Sequence, residues 1–360
     1  MKLIDWYIFK KFIGTFFYAI SLLIMIVIIF DISENIEDFL KNEAPVKEII
    51  IDYYINFIPY FINLFVYLFT FISVIFFTSK MAGNTEIIAI LSSGISFMRM
   101  LRPYFFASLL LGIFSFYLGN FLIPQTNVTR RAFKDRYMED LSKDKERNIH
   151  LQIEKGVFVF VENYNVKQQT AYRFTIEHFE DEKMTYKLMA DRIELDTARG
   201  ANAWKIINYT KRYIDGMNER IEKGITLDTV LNLIPTDLYK IKEDFEVMNF
   251  WELKEHINKE RLKGSPGVVN YEVEMQKRLA SPAAILILTF IGAALSSRKV
   301  RGGIGMHLGL GIAITFSYIL FMQFSTVFAT FGNLSPVWAA WIPNLLYAIM
   351  GVYLIIKAPK

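Results

Sequence analysis

An acidic side chain opens a short uncharged run within NTEIIAILSSGISFMRM, residues 84–100 of the sequence. Twelve uncharged residues separate Glu86 from Arg99. As a helix they would be about 18 Å long, which is too short to cross a hydrocarbon core about 30 Å thick. A carboxylate at the start of such a helix suits docking to a protein partner, or it favours the dipole of a helix lying in the lipid interface. The residues alone leave both interpretations open.

The short run predicts one amphipathic helix over about residues 84–98. Asn84 or Thr85 can cap its start, and Gly94 weakens its middle. Its apolar residues recur at helical intervals, so one face can be buried. That face comprises Ile87, Ile90, Leu91, Ile95 and Met98.

Several other kinds of chemistry are excluded by what the sequence lacks. It contains no G-x-x-x-x-G-K-[ST] motif for nucleotide phosphates, no G-x-S-x-G, no H-E-x-x-H and no cysteine. The glycine cluster at 302–311 does not fit a dinucleotide fingerprint, because Leu308 stands where a third glycine is required. Within a membrane, its small residues Gly305 and Gly309 instead predict close helix packing.

Long apolar runs flank the segment 84–100 and are the elements that must position its residues. The chain is 53% hydrophobic, above the roughly 45–50% that is usual for soluble domains. The first run precedes Asp31-Ile-Ser-Glu34 and lacks a signal-peptide cleavage site, so it is predicted to stay in the protein. A helix that crosses the membrane needs about 20 apolar residues. Stretches without Asp, Glu, Lys or Arg are called charge-free gaps here, and the last of them is long enough for two crossings. The sequence thus predicts six spans in the gaps 12–30, 53–79, 103–129, 279–297 and 302–356.

Charges between the runs predict the orientation. Short cytoplasmic loops carry an excess of Lys and Arg. Bases such as Lys11, Lys80 and Arg102 precede the first run or lie between the second and third, whereas residues 31–52 are rich in Asp and Glu. Both termini are therefore predicted to be cytoplasmic, and the polar segment 130–278 to be periplasmic.

The polar segment predicts an inserted β-domain. Gly156–Val161, Lys183–Ala190 and Ala203–Tyr209 are short, rich in β-branched and aromatic residues, and bounded by turn-forming clusters. A small β-sandwich or jellyroll-like fold that ends in a short helix is expected. The predicted fold class is an α-helical polytopic membrane protein with this domain inserted, divided into residues 1–129, 130–270 and 271–360.

Polar residues within the predicted spans are uncharged. They are Asn56, Asn63, Gln323 and Asn344. An ion-coupled transporter more often holds an acid or an arginine at mid-depth. The spans therefore favour a path for a lipid-like substrate.

Four ordered motifs resemble the LptF/LptG permeases of lipopolysaccharide export. Asn84–Ser96 is similar to that family's cytoplasmic coupling helix, and Glu274–Pro282 stands at the entry to the fourth span. Arg301–Gly311 and Trp341–Leu345 match in the last two spans. With the six spans and the inserted β-domain, the resemblance covers nearly the whole chain and leans slightly to LptG.

The resemblance implies a permease subunit that is not an enzyme, has no cofactor of its own and binds no nucleic acid. Family members work as paired half-permeases on a dimeric cytoplasmic ATPase, LptB. They extract lipopolysaccharide from the inner membrane and pass it to periplasmic jellyroll proteins such as LptC and LptA. Glu86 matches the acid through which the family's coupling helix contacts the ATPase. The candidate coupling residues are Asn84, Glu86, Ile87, Ile90, Leu91 and Gly94.

The implied lipid carries phosphates, so cations are expected near the periplasmic membrane surface. The candidate phosphate ligands are Arg130, Arg131, Lys277 and Arg278. Ordinary anchoring at the membrane interface is the alternative role for these bases. Some LptG-type members place bases just after the first span, where this chain has Asp31, Glu34 and Glu37. Two further alternatives stay open on the sequence: another envelope lipid or lipoprotein as cargo, and a scaffold that does not transport.

Overall fold

The computed structural model describes most of the chain. The described residues are 3–138, 147–165, 168–180, 183–196, 200, 202–216, 218–238, 244–262, 267–298 and 303–358. They form two compact units. A helical unit comprises Met1–Met138, Phe245–Lys254 and Val269–Lys360, and a sheet unit comprises Glu139–Asp244 and Glu255–Val268.

Six helices in the described part of the chain are long and apolar enough to cross a membrane, which confirms the prediction. The first three extend beyond both ends of the charge-free gaps, because polar residues continue each helix outside its apolar stretch. In chain order, spans 1 to 6 are Leu3–Lys41, Val46–Gly83, Phe97–Tyr137, Val268–Ser296, Ile304–Phe331 and Pro336–Lys357.

Spans 2 and 3 are built from several helices, whereas α1 (Leu3–Lys41) is continuous. Span 2 comprises α2 (Val46–Glu48), a π-helical stretch at Ile49–Tyr54 and α3 (Ile55–Gly83). After α4 (Glu86–Ser92), span 3 comprises α5 (Phe97–Met100), α6 (Arg102–Tyr117), a π-helical stretch at Leu118–Leu122 and α7 (Ile123–Tyr137). Pro124 has no N–H for the carbonyl of Asn120, which favours the wider turn there. The remaining helices are α8 (Phe250–Leu262), α9 (Val268–Ser296), α10 (Gly303–Phe331) and α11 (Pro336–Lys357).

The main core of the helical unit lies between α1, α3, α6 and α9. Phe12, Val74, Tyr104 and Ile285, one from each of these helices, are 0% exposed. The hydroxyls of Tyr104 and Thr78 are 2.9 Å apart and satisfy each other inside this core. Within a membrane the alternative to this packing is contact with lipid, so close van der Waals contact and satisfied hydroxyls stabilise the cluster.

Two of the predicted intramembrane asparagines connect helices. Asn63 on α3 accepts a hydrogen bond from the Ser115 hydroxyl of α6 at 2.7 Å. Asn344 on α11 donates to the Ala280 carbonyl of α9 at 3.1 Å and accepts from the Tyr318 hydroxyl of α10 at 2.8 Å. Their side chains are therefore used within the helix bundle.

The sheet unit confirms the inserted β-domain and supplies the strand order that the sequence left open. Its six strands form one antiparallel sheet in which each strand pairs with its neighbours in sequence. Trp204 is 1% exposed, and its indole N–H donates to the Leu233 carbonyl at 2.8 Å. The strands are β1 (Arg147–Glu154), β2 (Val157–Asn165), β3 (Thr170–Glu180), β4 (Lys183–Leu195), β5 (Ala203–Asp215) and β6 (Asn218–Val230).

The unit boundaries differ from those expected. The expected boundary at residue 130 falls inside α7, which runs to Tyr137, and the one at residue 270 falls inside α9. Phe245–Lys254 also belongs to the helical unit. The expected boundaries followed the change from apolar to charged residues, and the helices continue past that change.

Candidate functional site

The short run after span 2 forms two helices where one was expected. Thr85, at φ 62°, turns the chain between α3 and α4, which is an uncommon backbone conformation for a β-branched residue. α4 ends at Ser92, and Gly94 adopts φ 83°, a conformation that favours glycine. α5 then begins at Phe97 with the Ser96 hydroxyl accepting from the Arg99 N–H at 3.3 Å. Gly94 therefore ends the helix that the sequence extended to about residue 98.

The break at Gly94 changes which side chains are buried. Ile87 is 1% exposed, and Ile90 and Leu91 pack against the core of the helical unit, as expected for the apolar face. Met98 lies beyond the break and is 64% exposed, although the continuous helix placed it on the buried face. Ile88, which the sequence did not select, is 55% exposed on α4.

The carboxylate of Glu86 is held by two side chains. The Tyr7 hydroxyl of α1 donates to Oε2 at 2.9 Å, and the Asn84 amide donates to Oε1 at 3.3 Å. Lys11, one turn along α1, donates to the Tyr7 hydroxyl in turn. No spacing rule could have identified Tyr7, because it lies 79 positions from Glu86 in the sequence.

A second contact joins α1 to the end of the same segment. Both carboxylate oxygens of Asp5 accept from the Arg99 guanidinium, each at 2.8 Å. Asp5 is 8% exposed, so most of this pair is shielded from water. Paired Arg–carboxylate bonds of this kind are among the strong ones in proteins. The available signal was the acid at position 5, which stands before the first apolar run near Lys10 and Lys11.

Arg278, one of the predicted phosphate ligands, is hydrogen-bonded to other groups of the protein. Its guanidinium donates to the Phe245 carbonyl at 2.6 Å, to the Met248 carbonyl at 2.9 Å and to the Glu274 carboxylate at 3.1 Å. The side chain is 8% exposed. Arg278 therefore fastens the segment around residues 245–248 to α9.

The other predicted phosphate ligands differ in how exposed they are. Arg130 lies 5.0 Å from the centre of the Tyr60 ring and 3.8 Å from the Glu246 carboxylate, and its side chain is 12% exposed. Arg131 is half-buried. Lys277 pairs with Glu274 at 3.6 Å and keeps 39% of its side chain exposed. Lys277 and Arg278 thus share an acid, while Arg130 pairs with a different one.

The predicted packing glycines are not where α10 approaches another helix. A Cβ added at Gly305 or Gly309 would meet no heavy atom of the described residues within 4 Å. A Cβ at Gly311 would lie 2.2 Å from Cδ1 of Ile75 and 3.0 Å from Cε1 of Phe71, both on α3. Close helix packing therefore occurs at Gly311, within the predicted cluster but on a different face of α10. Of the motif Arg301–Gly311, residues 301 and 302 lie outside the described residues.

Comparison with known proteins supplies one family. A family model described as "Lipopolysaccharide export system permease LptF/LptG" matches residues 6–357, from α1 to α11. It treats LptF and LptG together, so it does not separate the two. A search of the curated proteins found no match.

Proposed function

The chain belongs to the LptF/LptG family and is a permease subunit of a lipopolysaccharide export ABC transporter, and from this premise we infer how it assembles. α4 docks on a dimeric cytoplasmic ATPase of the LptB type. A second half-permease of the family completes the path through the membrane. The β-domain is periplasmic and delivers the lipid to LptC/LptA-like jellyroll proteins.

The exposed side of α4 is the observation that carries this inference. Ile87 is buried and anchors the helix, while Ile88 is 55% exposed and Glu86 stands at its start. An exposed apolar side chain beside a carboxylate combines an anchor for a hydrophobic pocket with a partner for a cation. We therefore assign the ATPase contact to Asn84, Glu86 and Ile88, with Ile87, Ile90 and Leu91 holding the helix in place.

The phosphates of the lipid are assigned chiefly to Lys277. Its side chain keeps a larger exposed fraction than the side chains of Arg130 and Arg278. A lysine on a flexible stem can leave a carboxylate at 3.6 Å for a more highly charged phosphate. Arg130 and Arg278 support that position through their contacts with the segment around Glu246.

The orientation is tested by chemical labelling, because the chain has no cysteine of its own. Ile225, on β6, is 77% exposed and Ile88 is 55% exposed. In intact spheroplasts, a membrane-impermeant maleimide is expected to label Ile225→Cys and to label Ile88→Cys only after permeabilisation. Labelling of Ile88→Cys before permeabilisation, with Ile225→Cys protected, would reverse the orientation.

Affinity purification in mild detergent tests the ATPase contact. The tagged wild-type chain is expected to bring a soluble ABC ATPase and a second six-span permease, with bound lipids identified by mass spectrometry. Glu86→Lys is expected to lower the recovered ATPase at least about tenfold, since a buried interfacial charge contact is worth about 2–5 kcal/mol. Ile88→Asp should act in the same direction.

Glu37→Lys is the matched control. It makes the same charge reversal at an exposed position near the end of α1 that is far from Tyr7 and Glu86. It should retain the ATPase. Absence of an ATPase from the wild-type sample in several detergents would contradict the docking role of α4. A lipid other than a lipid A-containing glycolipid would show that the cargo differs from that of the family.

A further inference from the structure

The beginning of α1 is attached to residues 84–100 at two separate points. At one end of the segment, the Tyr7 hydroxyl donates to Glu86 at 2.9 Å. At the other end, Arg99 forms its two 2.8 Å bonds with Asp5. The two attachment points on α1 are two residues apart, while those on the segment are separated by the break at Gly94. α1 therefore bridges α4 and α5.

Buried apolar residues accompany these two polar attachments. Ile8 and Phe12 on α1 are 0% exposed. They belong to the same buried cluster as Ile87 of α4 and Phe97 of α5, which are 1% and 6% exposed. The cluster also includes residues of α3, α6 and α9, so it is the two polar attachments that join α1 to α4 and α5 in particular. Packed cores of this kind resist continuous deformation, so elements that share one tend to move together.

We propose that the first turns of α1, together with α4 and α5, form a single rigid body, the α1 latch, which carries a displacement of α4 directly into span 1. This inference rests on the proposed ATPase contact of α4. Tyr7 is a positioning residue that orients the Glu86 carboxylate, and Asp5–Arg99 keeps α5 moving with α1. ATP-driven motion of α4 then shifts span 1 through these side-chain contacts. It does not have to be transmitted along the backbone through the turn at Thr85.

The ion pair can be tested separately from the docking surface, because it lies on α1 and α5, whereas the docking residues are on α4 and in the turn just before it. The whole complex is purified with its ATPase and reconstituted, and lipopolysaccharide release per ATP hydrolysed is measured. Asp5→Asn and Arg99→Gln are expected to keep the ATPase bound and to lower this ratio about tenfold, within the usual range for coupling between sites. The double variant Asp5→Arg with Arg99→Asp restores the pair in reverse and should recover most of the ratio.

Tyr7→Phe removes the hydroxyl and keeps the ring. It is expected to lower the ratio as well, since Glu86 loses a donor that orients it. A purely structural role would instead lower yield, ATP hydrolysis and lipid release in proportion, leaving the ratio unchanged. An unchanged ratio in the single variants overturns the latch. A wild-type complex without an ATPase overturns the proposed function itself, so the two failures are distinguishable.

Spin-label distances test the rigid body directly. Lys10 and Ser93 are exposed on α1 and just after α4, and Met306 is 60% exposed on α10. The distance between labels at Lys10→Cys and Ser93→Cys should stay the same with and without a trapped nucleotide. The distance between Ser93→Cys and Met306→Cys should change. A Lys10–Ser93 distance that changes as much as the reference distance overturns the proposal.

Discussion

Arg278→Met is expected to lower the free energy of unfolding by about 3–5 kcal/mol, because removal of one partner leaves a largely buried charge without its main counter-ion. Glu274 would keep Lys277 at 3.6 Å, and two backbone carbonyls would lose their guanidinium donors. The midpoint of unfolding in detergent measures the change. Limited proteolysis should also begin to cut near residues 245–248, since Arg278 holds that segment.

Arg136→Met is the control for this prediction. The Arg136 guanidinium lies 3.4 Å from the Glu48 carboxylate, and the Arg136 side chain is 65% exposed. The same substitution there removes an exposed ion pair. An exposed pair of this kind contributes less than about 1 kcal/mol. If Arg278→Met unfolds like the wild-type chain and instead loses bound lipid, the guanidinium serves the phosphate, and the structural role described above is incorrect.

Gly311→Ala is expected to destabilise the bundle by about 1–3 kcal/mol, the usual cost of overfilling a packed core. The new methyl group would lie 2.2 Å from Cδ1 of Ile75, and both Ile75 and Phe71 are 0% exposed, so neither has free space to move into. The stability of the purified chain in detergent gives the measurement. Adding Ile75→Val removes the clashing Cδ1 atom and should recover part of the loss, as expected for two residues in contact.

Gly309→Ala provides the same substitution on the same helix. A Cβ there meets nothing within 4 Å of the described residues. The change is therefore expected to be neutral or to gain up to about 1 kcal/mol of helix propensity. Equal destabilisation at the two positions would show that the close contact with Ile75 is not what makes Gly311→Ala costly.

The spans could be predicted because the membrane imposes one simple requirement. Twenty or so uncharged residues are needed for a crossing, and that requirement is visible in the sequence without knowledge of any contact. The strands were harder. β2, β4 and β5 contain apolar and aromatic runs and were predicted. β6, with its sequence NERIEKGITLDTV, places Ile221, Ile225 and Leu227 on one face but interrupts them with Glu219 and Lys223, so its alternation is weak.

The candidate site could be predicted only in part, for a related reason. Glu86 and Ile87 follow from local spacing, and the family match supports the family to which they were assigned. Tyr7 lies 79 residues from Glu86 in the sequence, and Asp5 lies 94 residues from Arg99. Local sequence patterns cannot predict contacts over such separations. The exposure of Met98 depended on the backbone conformation of Gly94, which the sequence indicated as a weak point but not as the end of the helix.

The neighbour-to-neighbour pairing of the sheet bears on how the protein is made. Among the described residues, each strand from β1 to β6 pairs with the strands adjacent in sequence, so the closing of each hairpin needs no residue that is synthesised much later. Pairings of short sequence separation form quickly, and domains generally fold in the order in which they emerge during synthesis. The strands of the sheet can therefore pair before spans 4 to 6 have been synthesised, because none of their ladders needs a residue from those spans.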